Sequence, residues 1–266
     1  MSTDAFDIAA ASYDADFTDS AIGRAQRGQV WRALDPLLQP PPMQVLELNC
    51  GTGADAMHIA SAGHNVLATD RSEAMLSVAR AKARHDGLGD RVRTAALDLQ
   101  GPQLPPGEGP FDLVLSDLGG LNCIDAVGLA AVGRFVASVL RPGGRFVAVL
   151  MADRCLMETV YHLLRARPVE AFRRWTGGPL DVPVGGRSVP TWYHRPSVLK
   201  HAFGPRFIQE DLRPIGLFVP PGYLEPRLRD RPRLLHWLDR SDRLVARAPW
   251  TARLGDHYLI QLRRGT

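Results

Sequence analysis

The chain has 266 residues, 45% of them hydrophobic, enough for one large α/β domain or for a domain carrying a sizeable insertion. Its three cysteines contain no C-x-x-C pair, which argues against a disulfide framework and a zinc site, and no apolar run approaches the ~18 residues that a membrane span needs. The charge is lopsided: residues 1–140 hold 10 Arg/Lys against 17 Asp/Glu, and residues 141–266 hold 22 against 11.

Asp4, Asp7 and Asp14 place acid where a secretory signal needs cations, so the expectation is a soluble, cytoplasmic protein. The basic second half is almost all Arg, with Lys82 and Lys200 the only lysines. Those arginines are interleaved with carboxylates and prolines and form no tight tract. They read as a solvated surface rather than a nucleic-acid face.

Residues 5–19 are short, polar and acidic with interspersed aromatics. From Ser20 the apolar positions recur at three and four (Ile22, Ala25, Val30, Leu34, Leu37), which predicts a helix stopped by Pro40-Pro41-Pro42. Val45–Leu48 is a buried strand, and Ala54–Ala62 a helix. Residues 65–69 form a second strand ending in Asp70, with Ser72 capping the next helix. Val92–Ala96 is a third strand shortly before Asp98, and Phe111–Ser116 a fourth, running into Asp117. A helix over 126–140 leads through Arg141-Pro142-Gly143-Gly144 to a fifth strand, 145–151. Strands alternating with helices mean a doubly wound, mostly parallel sheet.

Residues 153–175 look helical, 181–194 read as a hairpin about Gly185-Gly186, and 198–203 as a short helix. A sixth strand falls within 207–221, a helix near 234–245, and a last strand over 257–262. No internal repeat or low-complexity tract appears beyond the proline clusters.

The stretch MQVLELNCGTGADA (43–56) organises this pattern. A strand feeding a helix through Gly51-Thr52-Gly53 permits positive φ and close approach of a ligand to the backbone. The helix start then offers unpaired N–H groups at the carboxyl edge of the sheet. Two ligands fit this turn. Gly51-x-Gly53-x-x-Ala56, with Asp70 near the ribose position, satisfies a dinucleotide fingerprint. Glu47 points instead to S-adenosylmethionine (SAM), because a carboxylate inside an apolar strand is costly unless a partner such as a cationic amino-acid tail meets it.

The ordered set VLELNCGTGADA, LATD, ALDL, FDLVLSDLGGLN and LRPGGRFV resembles the class I SAM-dependent methyltransferases, in particular the small-molecule group with the ubiquinone/menaquinone and biotin-pathway enzymes. SYDADF and IGR near the start are similar to that group's opening segment. The resemblance covers about 150 residues and implies a Rossmann-like fold, mostly parallel with one antiparallel strand near the C-terminus. It implies four regions: an N-terminal helical segment (1–42), a SAM-binding core (43–152), a substrate lid inserted after the fifth strand (153–204), and a completion of the sheet (205–266). Position by position, Gly51 and Gly53 let the methionine moiety lie against the loop, while Glu47 meets its cationic tail. Asp70 accepts from both ribose hydroxyls. Asp98 and Leu99 sit at the adenine, Ser116 to Leu118 face the sulfonium, and Tyr13 closes over the methionine carboxylate. Asn49 and Cys50 depart from the small residues common there.

Methyl transfer from a sulfonium needs mainly orientation and exclusion of water, with a base only where the acceptor must lose a proton, and no metal. The candidate bases or orienters are His194 and Tyr193 in the hairpin, and Asp117 after the fourth strand; His162 reads as a helix-face residue. Cys50 reads as packing, and Arg173-Arg174 as the favourable end of a helix. The function expected is methyl transfer to O, N or C of a small organic acceptor, possible acids and lipid- or polyketide-like molecules among them. No metal, nucleic acid or membrane span is expected, and a homo-oligomer is left open. The rivals are an RNA or DNA methyltransferase, which would want an N/D-P-P-Y/F-like segment where Ser116-Asp117-Leu118-Gly119 stands, an NAD(P)-binding oxidoreductase, and a partner subunit without turnover.

Overall fold

The computed structural model describes residues 5–38, 40, 42–246 and 248–265; Asp4 and Pro41, used in reading the sequence, lie outside them. The chain opens with α1 (Ala5–Ala9), a π-helical turn (Asp14–Thr18) and α2 (Ala21–Leu34). Ser20 caps α2, its hydroxyl accepting from the Gly23 N–H. The core then alternates: β1 (Gln44–Glu47), α3 (Ala54–Ser61), β2 (Asn65–Asp70), α4 (Glu73–His85), β3 (Val92–Ala96), β4 (Phe111–Ser116), α5 (Ala126–Val139) and β5 (Leu140–Met151). After it come α6 (Leu156–Leu163), α7 (Pro168–Ala171), the hairpin β6 (Leu180–Val184) and β7 (Arg187–Thr191), and α8 (Pro196–Phe203). The chain ends with β8 (Phe207–Ile215), α9 (Glu225–Leu228), α10 (Pro232–Val245) and β9 (His257–Arg264).

Seven strands form one sheet in the order β3-β2-β1-β4-β5-β9-β8. β9 runs antiparallel to both its neighbours and the other pairs are parallel, as the resemblance implies. The strand order reverses between β1 and β4, where open α/β sheets bind ligands beyond their carboxyl ends. Alternation along the strands divides the core. Val45, Leu113, Leu115, Val147 and Val149 face α2, α3 and α4, while Leu46, Leu48, Val114, Phe146 and Ala148 face α5 and α8. Helices cover both faces because both faces are apolar.

Two segments depart from expectation. Residues 153–175 are not one helix: α6 ends at Leu163, Ala166 takes φ +53°, and Pro168 begins α7. Proline has no N–H to continue a helix and disfavours helical backbone in the residue before it. β5 begins at Leu140, five residues earlier than expected, because Leu140 pairs with Phe111 before an irregularity that takes up Arg141–Gly144.

The hairpin crosses the carboxyl edge of the sheet. At its base the Trp192 N–H donates to the Asn122 carbonyl (2.8 Å), and Asn122 Nδ2 donates back to the Trp192 carbonyl (2.6 Å). At its tip Val184 packs with Ala9 and Ala10, at and just beyond the end of α1, and with Met75 of α4. Among the described residues no helix is long and apolar enough to cross a membrane.

Candidate cofactor site

The glycine loop adopts the geometry its composition predicts. Gly51 and Gly53 have φ of +52° and +83°, the left-handed region that glycine enters without a Cβ clash. A Cβ on Gly53 would stand 2.9 Å from Ala79 Cβ, so the glycine also lets α3 approach α4. The Gly51 N–H donates to Asp70 Oδ2 and the Ser72 N–H to Asp70 Oδ1, both at 2.9 Å. Asp70 is thereby aimed along the loop, and a carboxylate oxygen that accepts one bond still has a lone pair for another.

The N-terminal segment is clamped over this loop. Asp14 accepts from the Thr52 hydroxyl (2.6 Å) and pairs with Lys82 of α4 (2.6 Å). Tyr13 Cε1 lies within van der Waals reach of where a Gly51 side chain would begin. Burial, followed by the nearby Asp70, Asp117 and Asp55, pushes its phenol up to about 12 despite the opposing Arg27, so it is neutral at physiological pH.

Beneath the loop lies a buried charge cluster. Glu47, the last residue of β1, is 1% exposed, and neither carboxylate oxygen has a hydrogen-bond partner. Burial and the neighbouring Asp55 push its carboxyl well above the usual range, against the pull of Arg27. Asp55, in the first turn of α3, bonds to Arg27 and accepts from Trp31 Nε1 (2.7 Å); the two α2 residues hold it ionised, below the ordinary value, despite its burial. Asp117 accepts from the Leu118 N–H (2.8 Å) through Oδ1, while Oδ2 makes no hydrogen bond and stands 3.6 Å from Arg27. Burial and Asp55 raise it as well. Three carboxylates around one arginine leave the cluster short of positive charge. Among the described residues no cluster of three or more His, Cys, Asp or Glu is arranged to hold a metal ion.

The carboxyl end of β4 is held from β1. Ser116 Oγ donates to Asn49 Oδ1 (2.5 Å), and Asn49 Nδ2 donates to the Asp117 carbonyl (2.7 Å). Asn49 therefore joins the two strands at the switch point, which explains why a larger polar residue stands there. Leu118 takes φ +44° in the turn that follows. Cys50 is buried, its thiol pushed well up by burial and by Glu47, consistent with packing.

The adenine candidates lie at the edge of β3. Asp98 is half-exposed, caps its own turn by accepting from the Gln100 N–H (2.9 Å), and stands 3.7 Å from Arg71; Leu99 packs on the core. The hairpin candidates lie further along the edge. His194 is buried with Nε2 2.8 Å from the Ile124 carbonyl; a carbonyl only accepts, so Nε2 carries the proton and Nδ1 is the basic nitrogen. Burial lowers its pKa and keeps it neutral. The Tyr193 ring covers the Arg174 guanidinium at 4.8 Å. His162 is buried in an edge contact with Tyr161.

Arg173 and Arg174 do not end a helix on its dipole. Both grip Glu158 with paired bonds of 2.9–3.1 Å, and Arg174 also bonds Asp256 Oδ1 (2.8 Å), tying α6 to the start of β9. Arg27, Trp31 and Asp55 are members of the charge cluster beneath the glycine loop that the sequence pattern did not reveal, and Asn49 stands out there only as a departure from a small residue.

Residues 45–144 match the family described as a methyltransferase domain. Over those residues the chain is similar to methyltransferase domains. The chain is 32% identical over 145 residues to the demethylmenaquinone methyltransferase of Clavibacter sepedonicus, covering 53% of this chain and 54% of that protein. It is 30% identical over 174 residues to the ubiquinone/menaquinone biosynthesis C-methyltransferase of Acidiphilium cryptum, covering 64% and 63%. The chain thus spans between half and two thirds of the length of these curated relatives. In fold it is similar to an S-adenosylmethionine-dependent methyltransferase from Mesorhizobium loti, with a TM-score of 0.53 at 23% identity over 88% of this chain and 97% of that one.

Proposed function

We propose that the protein is a SAM-dependent methyltransferase acting on O, N or C of a small organic molecule in the cytoplasm. The observation that carries this reading is Glu47: a buried carboxylate without partners, ending the first strand beside a positive-φ glycine turn and an aimed Asp70. Such a carboxylate calls for a hydrogen-bonding cation, which the ammonium of an amino-acid tail provides and a nicotinamide dinucleotide does not. SAM supplies, when bound, an electrophilic methyl group on a sulfonium.

The chain's own residues then bind and orient. Glu47 accepts from the ammonium, Gly51 and Gly53 admit the methionine moiety, and Tyr13 closes over its carboxylate. Asp70 holds the ribose hydroxyls, and Asp98 and Leu99 flank the adenine. Ser116 to Leu118, fixed by Asn49, line the reacting end. The segment 153–204, with its hairpin across the sheet edge, covers the acceptor and excludes water. His194, through Nδ1, and Tyr193 are the candidates for taking a proton from an acceptor that must shed one. Asp117, whose carboxyl burial and Asp55 push up, is the third such candidate.

A small acceptor agrees with the names of the quinone-pathway relatives and with the arginines of the second half, many of which are engaged inside the protein: Arg173 and Arg174 with Glu158, Arg253 with Asp153, Arg145 and Arg263 with Glu210. The test is transfer of labelled methyl from SAM to a panel of prenylated hydroxyquinones, phenols, small carboxylic acids and total RNA. Label in an extractable small molecule is expected; label in RNA alone would overturn the assignment of the acceptor.

A further inference from the structure

Helix α10 is built inside out. Its buried face carries Leu235 together with two acids, Asp239 and Asp242. Asp239 accepts from Gln29 (3.1 Å) and Arg32 (2.6 Å) of α2, while Asp242 accepts from Gln29 (2.9 Å) and from the Phe218 and Val219 N–H groups (2.7 and 3.2 Å). The apolar residues that such a helix would ordinarily turn inward point out: Leu234, Trp237 and Leu244 are 42%, 65% and 83% exposed. At 100° per residue these three fall within one stripe, and Arg233, Arg240 and His236, all exposed, fall beside it. Just past the helix, Trp250 is 77% exposed.

The charges are sorted in the same sense. Between residues 225 and 245 every one of the six arginines (227, 229, 231, 233, 240, 243) is exposed. Of the four acids, Asp239 and Asp242 are buried, and Glu225 is spent capping α2, accepting from the Ala21 and Ile22 N–H groups (2.8 and 2.9 Å). Only Asp230 faces outward against that excess. Two of the six arginines are paired, Arg243 with Asp239 (2.7 Å) and Arg229 with Asp230 (3.5 Å). Ion pairing has thus used up nearly all the negative charge of a surface that keeps an excess of arginine and its large apolar groups.

We propose that the outer face of α10 docks the protein on an anionic lipid bilayer. Trp237, Leu234 and Leu244 fit the boundary between headgroups and acyl chains, and the flanking arginines meet lipid phosphates, the pairing of faces by which interfacial helices bind. A second copy meets this face less well, because a two-fold contact would set the arginines of one molecule against the same arginines of the other. A nucleic acid would take the arginines and the tryptophan but gives the aliphatic stripe nothing to enter. The position is apt for a reaction at a surface: Leu224 and Leu228, just before α10, share a cluster with Ile22 at the head of α2 and with Tyr161 of α6.

The test is co-sedimentation of the full chain with vesicles of mixed phosphatidylglycerol and phosphatidylcholine, against phosphatidylcholine alone, at two salt concentrations. Binding to the anionic vesicles at least about tenfold tighter, weakened by salt, is expected. Trp237→Ser with Leu244→Ser, and separately Arg233→Glu with Arg240→Glu, should each abolish it while leaving the melting temperature and SAM affinity unchanged, since these side chains are exposed and remote from the glycine loop. Absence of binding, indifference to lipid charge, or full binding by both double variants would overturn the proposal. So would self-association, or RNA binding, that the same variants remove in a protein that ignores vesicles.

Discussion

Replacing Glu47 with Gln should strengthen the ligand-free protein and weaken its hold on SAM. A buried carboxylate with no partner either stays charged at a cost of several kcal/mol or takes up a proton. Protonation caps that cost at about 1.4 kcal/mol for each pH unit above the ordinary value of 4.5, which is roughly 4 kcal/mol at pH 7.5. Arg27 offsets part of it. A carboxyl whose folded-state pKa lies above its unfolded value binds its proton more tightly when folded, so stability falls as pH rises from about 4.5 towards the folded pKa. The amide has the same shape and no charge. Glu47→Gln should therefore gain about 1–3 kcal/mol in ligand-free stability at pH 8, and less than about 1 kcal/mol at pH 5, where the wild-type penalty is small. SAM affinity should fall about tenfold to a hundredfold as a charge-assisted bond of about 1.5–3 kcal/mol is lost. Urea unfolding at the two pH values, with calorimetric titration of SAM, reads both effects. Equal destabilisation at pH 5 and pH 8 with unchanged SAM affinity would refute the reasoning.

Asp70→Asn leaves one oxygen to accept from Gly51 or Ser72 but removes the charge; SAM binding should weaken about tenfold or more, with a modest drop in melting temperature, both followed by titration and thermal unfolding. Arg174→Ala leaves Asp256 without its arginine and Glu158 with one arginine instead of two, and should cost about 3–5 kcal/mol in chemical unfolding. Asn49→Ala frees the end of β4 and should cost about 1–3 kcal/mol. Because it also loosens Ser116 to Leu118, which the proposed function puts at the reacting end, it should lower kcat more than it raises KM for SAM in a steady-state methyl-transfer assay.

The sheet was legible because each core strand is a short apolar run closed by turn chemistry, and β2, β3 and β4 appear within a residue of where the pattern places them. Glu47 stood out because its charge contradicts its surroundings. Arg27 and Asp55 did not: an arginine on an amphipathic helix and an acid in the first turn of another look like ordinary solvated positions. Their meaning appears only when α2 folds across the head of α3 and both are buried. The break within residues 153–175 was signalled by Pro168, but the apolar spacing on either side is helical and hides it. In α10 the periodicity reveals a helix without revealing which face turns inward, because that depends on Gln29 and Arg32, some two hundred residues earlier.

The central claim is that Glu47, the glycine loop and Asp70 form a SAM site, and calorimetric titration of the purified protein with SAM, S-adenosylhomocysteine and NADH tests it most directly. The account predicts micromolar binding of the first two and none of NADH. Binding of NADH alone, or silence from all three, would contradict it.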